Sequence, residues 1–219
     1  MAALIFTFCS FFAIEAENQT IIPIEHQIKT PETALRELLK GNERYINDKL
    51  LHPNRTSERR EALSNSQAPF AIIIGCSDSR VSPEIIFDQG IGDLFVVRVA
   101  GNVVGPIELA SIKFSAEYLG SSIILVLGHQ NCSAVKAVLA HQAKDIEPIA
   151  LKIEAALQNH DKLANDPLEN AIKLNVIAVS KQLRMDENLA NLIAQKKLEV
   201  IGGYYHLTTG KVELCCDLP

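Results

Sequence analysis

The chain has 219 residues, of which 47% are hydrophobic and 21% are charged. This length and composition exclude a wholly disordered chain and favour a single globular domain. The 21 basic residues against 26 acidic ones give a formal net charge of -5, so we expect no nucleic-acid partner. Five cysteines are too few for a disulfide framework, and their number is odd, so these residues require another explanation.

The N-terminal segment is almost wholly apolar over residues 1–14. It is shorter than the roughly 20 residues of a transmembrane helix, so we expect no stable membrane span. Small residues at Ala13 and Ala16 follow the pattern of a cleavage site, which predicts a signal peptide over 1–16 and a periplasmic or secreted protein. Because no Lys or Arg precedes the apolar run, an N-terminal anchor is the alternative. We expect 17–30 to be a flexible segment and 31–219 a single domain.

The next elements alternate between helical and extended patterns. Thr30 can cap a helix that begins at Pro31, and Gly41 lies inside its apolar pattern, where it could interrupt the helix. The following segment, 47–69, is polar and predicts irregular structure with a short helical turn. Later helical patterns cover 106–119, 132–143, 147–158 and 185–197.

Short apolar runs between these helices predict buried strands at 70–74, 94–99, 122–127, 174–179 and 198–201. Buried strands that alternate with helices indicate an α/β fold with a mainly parallel central sheet, four parallel strands plus an added strand, flanked by helices. A last pair of segments, 204–207 and 211–214, is joined by Thr-Thr-Gly and predicts a hairpin.

Polar side chains follow the first and third predicted strands, where ligands bind in parallel sheets. Cys76, Asp78 and Arg80 recur with a period of two, which places them on one side of an extended chain. His129 and Cys132 are three residues apart and would meet on a tight turn. Two thiols, an imidazole and a carboxylate are a ligand set for zinc, and Arg80 can pair with the carboxylate. The sequence therefore predicts a zinc site.

Two other interpretations of Cys76 and Cys132 stay open from the residues themselves. They could be ordinary buried cysteines, or they could form a disulfide in an oxidising compartment. Neither explains why both follow strands of the same sheet.

From about residue 34 to residue 214 the sequence resembles the β-class carbonic anhydrases. These segments carry the resemblance: Ala34-Leu35-x-x-Leu38-x-x-Gly41-Asn42-x-Arg44-Tyr45, Cys76-Ser77-Asp78-Ser79-Arg80-Val81, Phe95-Val96-Val97-Arg98-x-Ala100-Gly101-Asn102, Leu125-x-Leu127-Gly128-His129-x-x-Cys132 and Thr209-Gly210-Lys211-Val212. Together these motifs are highly specific, and residues 31–219 are identified as one domain of this family.

The resemblance implies one Zn²⁺ per subunit, held by Cys76, His129 and Cys132. It implies zinc-dependent, reversible hydration of carbon dioxide to bicarbonate and a proton, by attack of zinc-bound hydroxide. The fourth ligand would be water in the active form or Asp78 in a closed form, and Arg80 would hold Asp78 off the metal through a bidentate ion pair.

The resemblance also implies a homodimer or higher homo-oligomer. Gln67 would donate a hydrogen bond to the substrate oxygen from the neighbouring subunit, and Phe95, Ala100 and Phe114 match the apolar pocket for carbon dioxide. Ser133 and Phe114 depart from the usual Gly and Tyr of the family. The chain contains no Trp, which with Gln67 favours the branch that bicarbonate does not inhibit.

Two further functions share this ligand set. Relatives of the fold hydrolyse carbon disulfide or carbonyl sulfide, and a zinc-sequestration protein would need the ligands only. The Asp78–Arg80 pair and Gln67 argue against sequestration. Of the other cysteines, we expect Cys9 to leave with the signal peptide, and Cys215 and Cys216 to be exposed thiols in a tail.

Overall fold

A computed structural model describes residues 30–158 and 166–215 of the protein. The predicted signal peptide, nearly all of the 17–30 segment, Cys9 and Cys216 lie outside the described residues. Within the described part of the chain, every helix is too short or too polar to cross a bilayer.

The centre of the fold is a five-stranded sheet with the order β2-β1-β3-β4-β5. Its strands are β1 (Ala71–Gly75), β2 (Leu94–Arg98), β3 (Ile123–His129), β4 (Glu199–Tyr205) and β5 (Val212–Cys215). The first four are mutually parallel, and β5 is antiparallel to β4. The predicted class, four parallel strands plus an added strand, is confirmed.

Eight α-helices of the described residues cover the sheet. They are α1 (Pro31–Ile46), α2 (Ser57–Ala62), α3 (Pro83–Ile86), α4 (Pro106–Phe114), α5 (Ser133–Leu139), α6 (Glu147–Leu157), α7 (Pro167–Arg184) and α8 (Glu187–Ala194). A tight turn, Ala100–Asn102, follows β2, and a π-helical turn, Ser115–Leu119, extends α4.

Successive side chains of the central strands point to opposite faces of the sheet and build two cores. Ile73 of β1 packs in the core that contains Leu38 of α1. Its neighbours Ile72 and Ile74 pack in the second core, with Val176 of α7. All residues of β1 and β3 are buried, which is why their sequences are continuous apolar runs without alternation.

The predicted strand at 174–179 is wrong, because this segment lies inside α7. Ile172, Val176, Val179 and Leu183 are all buried and recur at helical spacing, but apolar neighbours hide that period in the sequence. The predicted segments 198–201 and 204–207 belong to one continuous strand, β4, which runs from Glu199 to Tyr205. Cys215 is half-buried in β5, so the prediction of an exposed thiol in a tail is wrong for this residue.

Helix α7 lies directly against the sheet, and two strand glycines permit this contact. A Cβ at Gly128 of β3 would lie 2.6 Å from Val176 Cγ2, and one at Gly202 of β4 would lie 2.8 Å from Val176 Cγ1. Any larger residue at either position would therefore push the helix off the strands.

Helix α1 runs through Gly41 without interruption. A Cβ at Gly41 would lie 1.7 Å from Phe87 O, so only glycine permits α1 to pack on α3 this closely. The buried Asn42 amide donates to Ile86 O at 3.1 Å and to Gly210 O at 2.8 Å, and its oxygen accepts from Val212 N at 2.9 Å. This side chain joins the first helix to the last strand.

Asp88 is a buried carboxylate that fixes the segment after α1. It accepts hydrogen bonds from Arg44 Nε at 2.6 Å, Leu51 N at 2.9 Å and His52 N at 3.0 Å. Burial by itself would raise the pKa of Asp88, but these hydrogen bonds outweigh it and hold the pKa below its ordinary value.

We expect Asp88→Asn to lower the free energy of unfolding by about 3 kcal/mol, because the change leaves buried donors without their anion. Urea denaturation of the variant and the unaltered protein, at matched metal content, measures this. Because the folded-state pKa is lowered, the stabilisation exists above about pH 4 and is lost as the pH falls further, so the two proteins should converge in acid.

The matched control is Glu32→Gln, which removes an exposed carboxylate 3.9 Å from Arg36. We expect this change to alter stability by less than about 1 kcal/mol. An equal loss in the two variants would contradict the role given to Asp88.

Candidate metal and active site

Three metal-ligand side chains meet at the carboxyl end of the sheet. Cys76 directly follows β1, His129 is the last residue of β3, and Cys132 precedes the first residue of α5. All three are buried, and their ligand atoms lie within 4.8 Å of one another. Because β1 and β3 are parallel neighbours, their ends lie side by side, and the predicted juxtaposition is observed.

The His129 ring is oriented for a ligand at Nε2. Its Nδ1 lies 2.9 Å from Gln130 O, where it donates a hydrogen bond, and this leaves Nε2 as the acceptor. Nε2 is buried and has no hydrogen-bond partner among the described residues. A buried imidazole nitrogen without a partner, beside two thiols, fits a zinc ion, which binds nitrogen and sulfur ligands.

The two sulfurs are 4.0 Å apart, and both cysteines are free thiols. The hydrogen bond from Cys132 lowers the pKa of Cys76 to about 4 despite the opposing effect of burial, and His129 and the Gly101 N–H act in the same direction. The hydrogen bond to Cys76 raises the pKa of Cys132, because its ionisation would place a second buried anion beside the first. A cation between the sulfurs would remove this conflict.

Asp78 lies at the edge of this group and is held by Arg80, as predicted. Arg80 Nε donates to Oδ1 at 2.9 Å and Nη2 to Oδ2 at 2.7 Å, and the Arg80 backbone N–H also donates to Oδ1. The bidentate pair holds the pKa of Asp78 well below its usual range. Oδ2 is 3.9 Å from His129 Nε2, so the carboxylate borders the ligand atoms.

Arg98 and Gly101 also hold the site, although in the sequence they stand out only as members of a longer motif. Arg98 donates from Nε to Cys76 O at 3.0 Å and from Nη2 to Asp78 O at 2.6 Å. Gly101 donates its backbone N–H to Cys76 Sγ at 3.2 Å. Both follow from β2 lying beside β1, and the signal in the sequence was their place at the end of the second apolar run.

Comparison with known proteins agrees with this site. A family model described as carbonic anhydrase matches residues 71–212. A carbonic anhydrase of Mycolicibacterium smegmatis is 36% identical over 191 residues, which cover 84% of this chain and 93% of the relative. The chain belongs to the carbonic anhydrase family. Carbonic anhydrase 2 of Mycobacterium tuberculosis is 47% identical over 110 residues, and this match covers only 50% of this chain and 53% of that one.

Solved structures place the fold in the β class. A Coccomyxa β-carbonic anhydrase in complex with acetazolamide has a TM-score of 0.65 at 28% identity, covering 82% of this chain and 85% of the other. Tetrameric β-carbonic anhydrases of Sordaria macrospora give a TM-score of 0.66 at 26% identity, covering 84% and 98%. Zinc-dependent hydration of carbon dioxide is the known activity of the family, and β-carbonic anhydrases use zinc.

The other predicted site residues of this carbonic anhydrase differ in their burial and in the core against which they pack. Ala100 packs in the core that contains Cys76, whereas Phe95 packs in a different core. Phe114 is exposed at the end of α4, and Gln67 is exposed in the loop before β1. Because Cys76 follows β1, Gln67 is separated from it by the whole strand, roughly 16 Å at 3.3 Å per residue.

We expect Gly101→Ala to weaken zinc binding about tenfold, because the turn that donates to Cys76 would have to shift. Gly101 has φ +71°, and an added Cβ would lie 3.0 Å from Ile153 Cδ1. The left-handed backbone adds a stability cost of about 1–2 kcal/mol. Chelator competition measures the affinity, and urea denaturation measures the stability.

Gly120→Ala is the matched control for this prediction. Gly120 has φ +77°, but an added Cβ would have no atom within 4 Å. We expect a similar stability cost from the left-handed backbone and an unchanged zinc affinity. Equal zinc affinities in the two variants would show that the Gly101 turn does not support the ligand.

Proposed function

We propose that this chain catalyses the reversible hydration of carbon dioxide to bicarbonate, with Zn²⁺ held by Cys76, His129 and Cys132. The observation that carries the proposal is the buried group of three ligand atoms within 4.8 Å, beside a carboxylate that is held by arginine. When bound, zinc lowers the pKa of water and supplies hydroxide as a nucleophile near neutral pH.

We assign to Asp78 the orientation of that nucleophile. Its ionised carboxylate only accepts hydrogen bonds, so it would fix the direction of the nucleophile's proton and leave a lone pair free to attack. Arg80 engages both carboxylate oxygens, and its role would be to keep Asp78 from ligating the metal in a closed form. Arg98 holds the backbone on both sides of Ser77 and so fixes Cys76 relative to Asp78.

We assign the binding of carbon dioxide to Phe95, Ala100 and Phe114. The substrate is small and has no net dipole, so apolar side chains can hold it, while a polar donor is needed for the oxygen that gains charge. Gln67 precedes β1 whereas Cys76 follows it, and we propose that Gln67 donates to the substrate in a second copy of the chain.

We expect Cys76→Ala to lose zinc and with it carbon dioxide hydration, because one of three protein ligands is removed. Asp78→Asn should keep its zinc and lose activity by about 10²–10⁴-fold, because the nucleophile is no longer oriented by a carboxylate. Metal content and stopped-flow hydration with a pH indicator measure both effects.

The matched control for the ligand variant is Cys215→Ala, which removes a half-buried thiol of β5 that does not belong to the ligand group. It should keep both zinc and activity. Full hydration activity in Cys76→Ala would overturn the proposed function.

We propose that the functional unit is a homodimer, formed at an apolar face around α4. Ile107 of α4 is 79% exposed, Tyr118 is 76% exposed, and Phe114 lies between them. The neighbouring strand β2 is at the edge of the sheet and only half buried. An apolar face of this kind needs a partner, and a second copy would also bring Gln67 to the site. The tetrameric Sordaria relatives support a second copy as that partner.

We expect Ile107→Glu to weaken this dimer by about 1–3 kcal/mol, because it places a charge in an apolar contact. Sedimentation velocity over a range of concentrations should show more monomer, with lower hydration activity per chain. Leu151→Glu on α6 is the matched control, since Leu151 is 58% exposed outside the proposed face. If both variants dissociate alike, the face around α4 is not the interface.

We propose that the protein is exported to the periplasm or secreted, on the basis of the apolar run over residues 1–14. Cleavage after Ala16 would leave Glu17 at the mature N-terminus. N-terminal sequencing of the protein from an extracytoplasmic fraction should begin at or near that residue. Protein that retains residue 1 and stays in the cytoplasm would contradict export.

A further inference from the structure

Asn175 is a polar residue on the buried side of α7, only 1% exposed. Its Nδ2 donates a hydrogen bond to Gly101 O at 2.8 Å. Its Oδ1 is buried and has no hydrogen-bond partner among the described residues. Half of the amide is therefore satisfied, and the other half is not.

Stability alone is a weak reason for an amide at this position. The hydrogen bond to Gly101 O stabilises the fold, but burying the Asn175 carbonyl oxygen without a donor costs free energy and offsets part of that gain. The residues one turn away on the same face of α7, Ala171 and Val179, are both apolar and buried. A half-satisfied polar group in such surroundings indicates a role for the half that is bonded.

The bonded half reaches the metal ligands through a single residue. Gly101 accepts from Asn175 at its carbonyl and donates from its own N–H to Cys76 Sγ at 3.2 Å. Gly101 has the left-handed backbone described above, and a side chain at this position would meet Ile153, so the turn leaves little room for another conformation. Holding its carbonyl therefore restricts where its N–H can point.

Helix α7 packs closely against the sheet, and this packing fixes the position of the hydrogen bond from Asn175 to Gly101. Val176, the next residue, packs against Gly128 of β3 and Gly202 of β4. The amide of Asn175 is thus anchored to the strand that carries His129 while it holds the turn that contacts Cys76.

We propose that Asn175 is a positioning residue of the metal centre. It holds Gly101 so that the backbone N–H stays directed at Cys76 Sγ, which stabilises that sulfur as a ligand. The inference rests on the proposed assignment of Cys76 as a zinc ligand. Groups that orient metal ligands through hydrogen bonds typically change metal affinity when they are removed.

The test is Asn175→Leu, which keeps a similar volume and removes both the donor and the unsatisfied oxygen. We expect the zinc dissociation constant, measured by chelator competition, to rise about 10–100-fold. In the cobalt-substituted protein, the thiolate-to-cobalt charge-transfer band should shift. This band reports on the sulfur ligands and would not respond to a merely structural role.

Ser180→Ala is the matched control. Ser180 lies on the same helix, is equally 1% exposed, and its hydroxyl also has no partner in the described part of the chain. It has no contact with Gly101 through a hydrogen bond, so zinc affinity and the cobalt spectrum should stay unchanged. If the leucine variant does not fold, Asn175→Ala replaces it, with a smaller loss expected because water can enter and donate to Gly101 O.

Unchanged zinc affinity and cobalt spectrum in the Asn175 variant would overturn the inference, even if the urea midpoint fell. A loss of affinity equal to that of Ser180→Ala would also overturn it, because the effect would then be general to α7. Failure of the unaltered protein to bind zinc would overturn the zinc assignment as well, whereas the first two results leave that assignment intact.

Discussion

The two sulfurs buried 4.0 Å apart are the constraint on which the site depends. In water the repulsion between two thiolates at this distance is only about 1 kcal/mol, but in the buried site the first thiolate opposes the second more strongly. One divalent cation would relieve this repulsion, and His129 Nε2 would be a third ligand for it. The fold contributes the geometry, because the two cysteines and the histidine follow parallel strands that are direct neighbours.

The same constraint explains how the surrounding residues are arranged. The contacts at the site either donate to a sulfur, hold the backbone that carries a ligand, or direct the neighbouring carboxylate. Gly101 donates to Cys76, Arg98 holds the backbone that carries Cys76, and Arg80 keeps the nearest carboxylate directed toward guanidinium. These donors are directed at the groups that carry negative charge, which is electrostatic preorganisation of the site.

The metal ligands could be predicted from the sequence because strands that are buried on both faces are easy to recognise. Cys76 and His129 stand at the ends of two such runs, and the rule that parallel strands bind ligands at their carboxyl ends brings them together. This inference about Cys76 and His129 requires no knowledge of how individual side chains pack. The ligand set by itself fits storage of zinc as well as catalysis. The resemblance to β-carbonic anhydrases is what indicates hydration of carbon dioxide.

The contribution of α7 could not be predicted in the same way. Residues 174–179 are apolar with one Asn, and a short apolar run fits a strand as well as a buried helix. The distinction depends on Gly128 and Gly202, which are far away in sequence and make room for Val176. The amide contact of Asn175 with Gly101 depends on that tertiary packing, so local sequence held no signal for it.

The proposed roles of Gln67 and Phe114 depend on a second copy of the chain. Both are exposed. The resemblance to the family implies an interface amide for Gln67 and a place in the apolar pocket for Phe114. Sequence spacing places Gln67 before β1 and Cys76 after it, and the extended strand keeps them apart. The sequence therefore shows which residues would form the site, but it does not show how two copies of the chain would bring them together.

The Asn42 side chain has a consequence for the order in which the chain can fold. It joins α1 to Gly210 and Val212, at sequence separations of 168 and 170 residues. Closing a contact of such high sequence separation costs more loop entropy than closing a local one. The first helix therefore cannot complete its buried contacts until the last strand has been synthesised, whereas all three metal ligands are already present. Ligand assembly can precede closure of the domain.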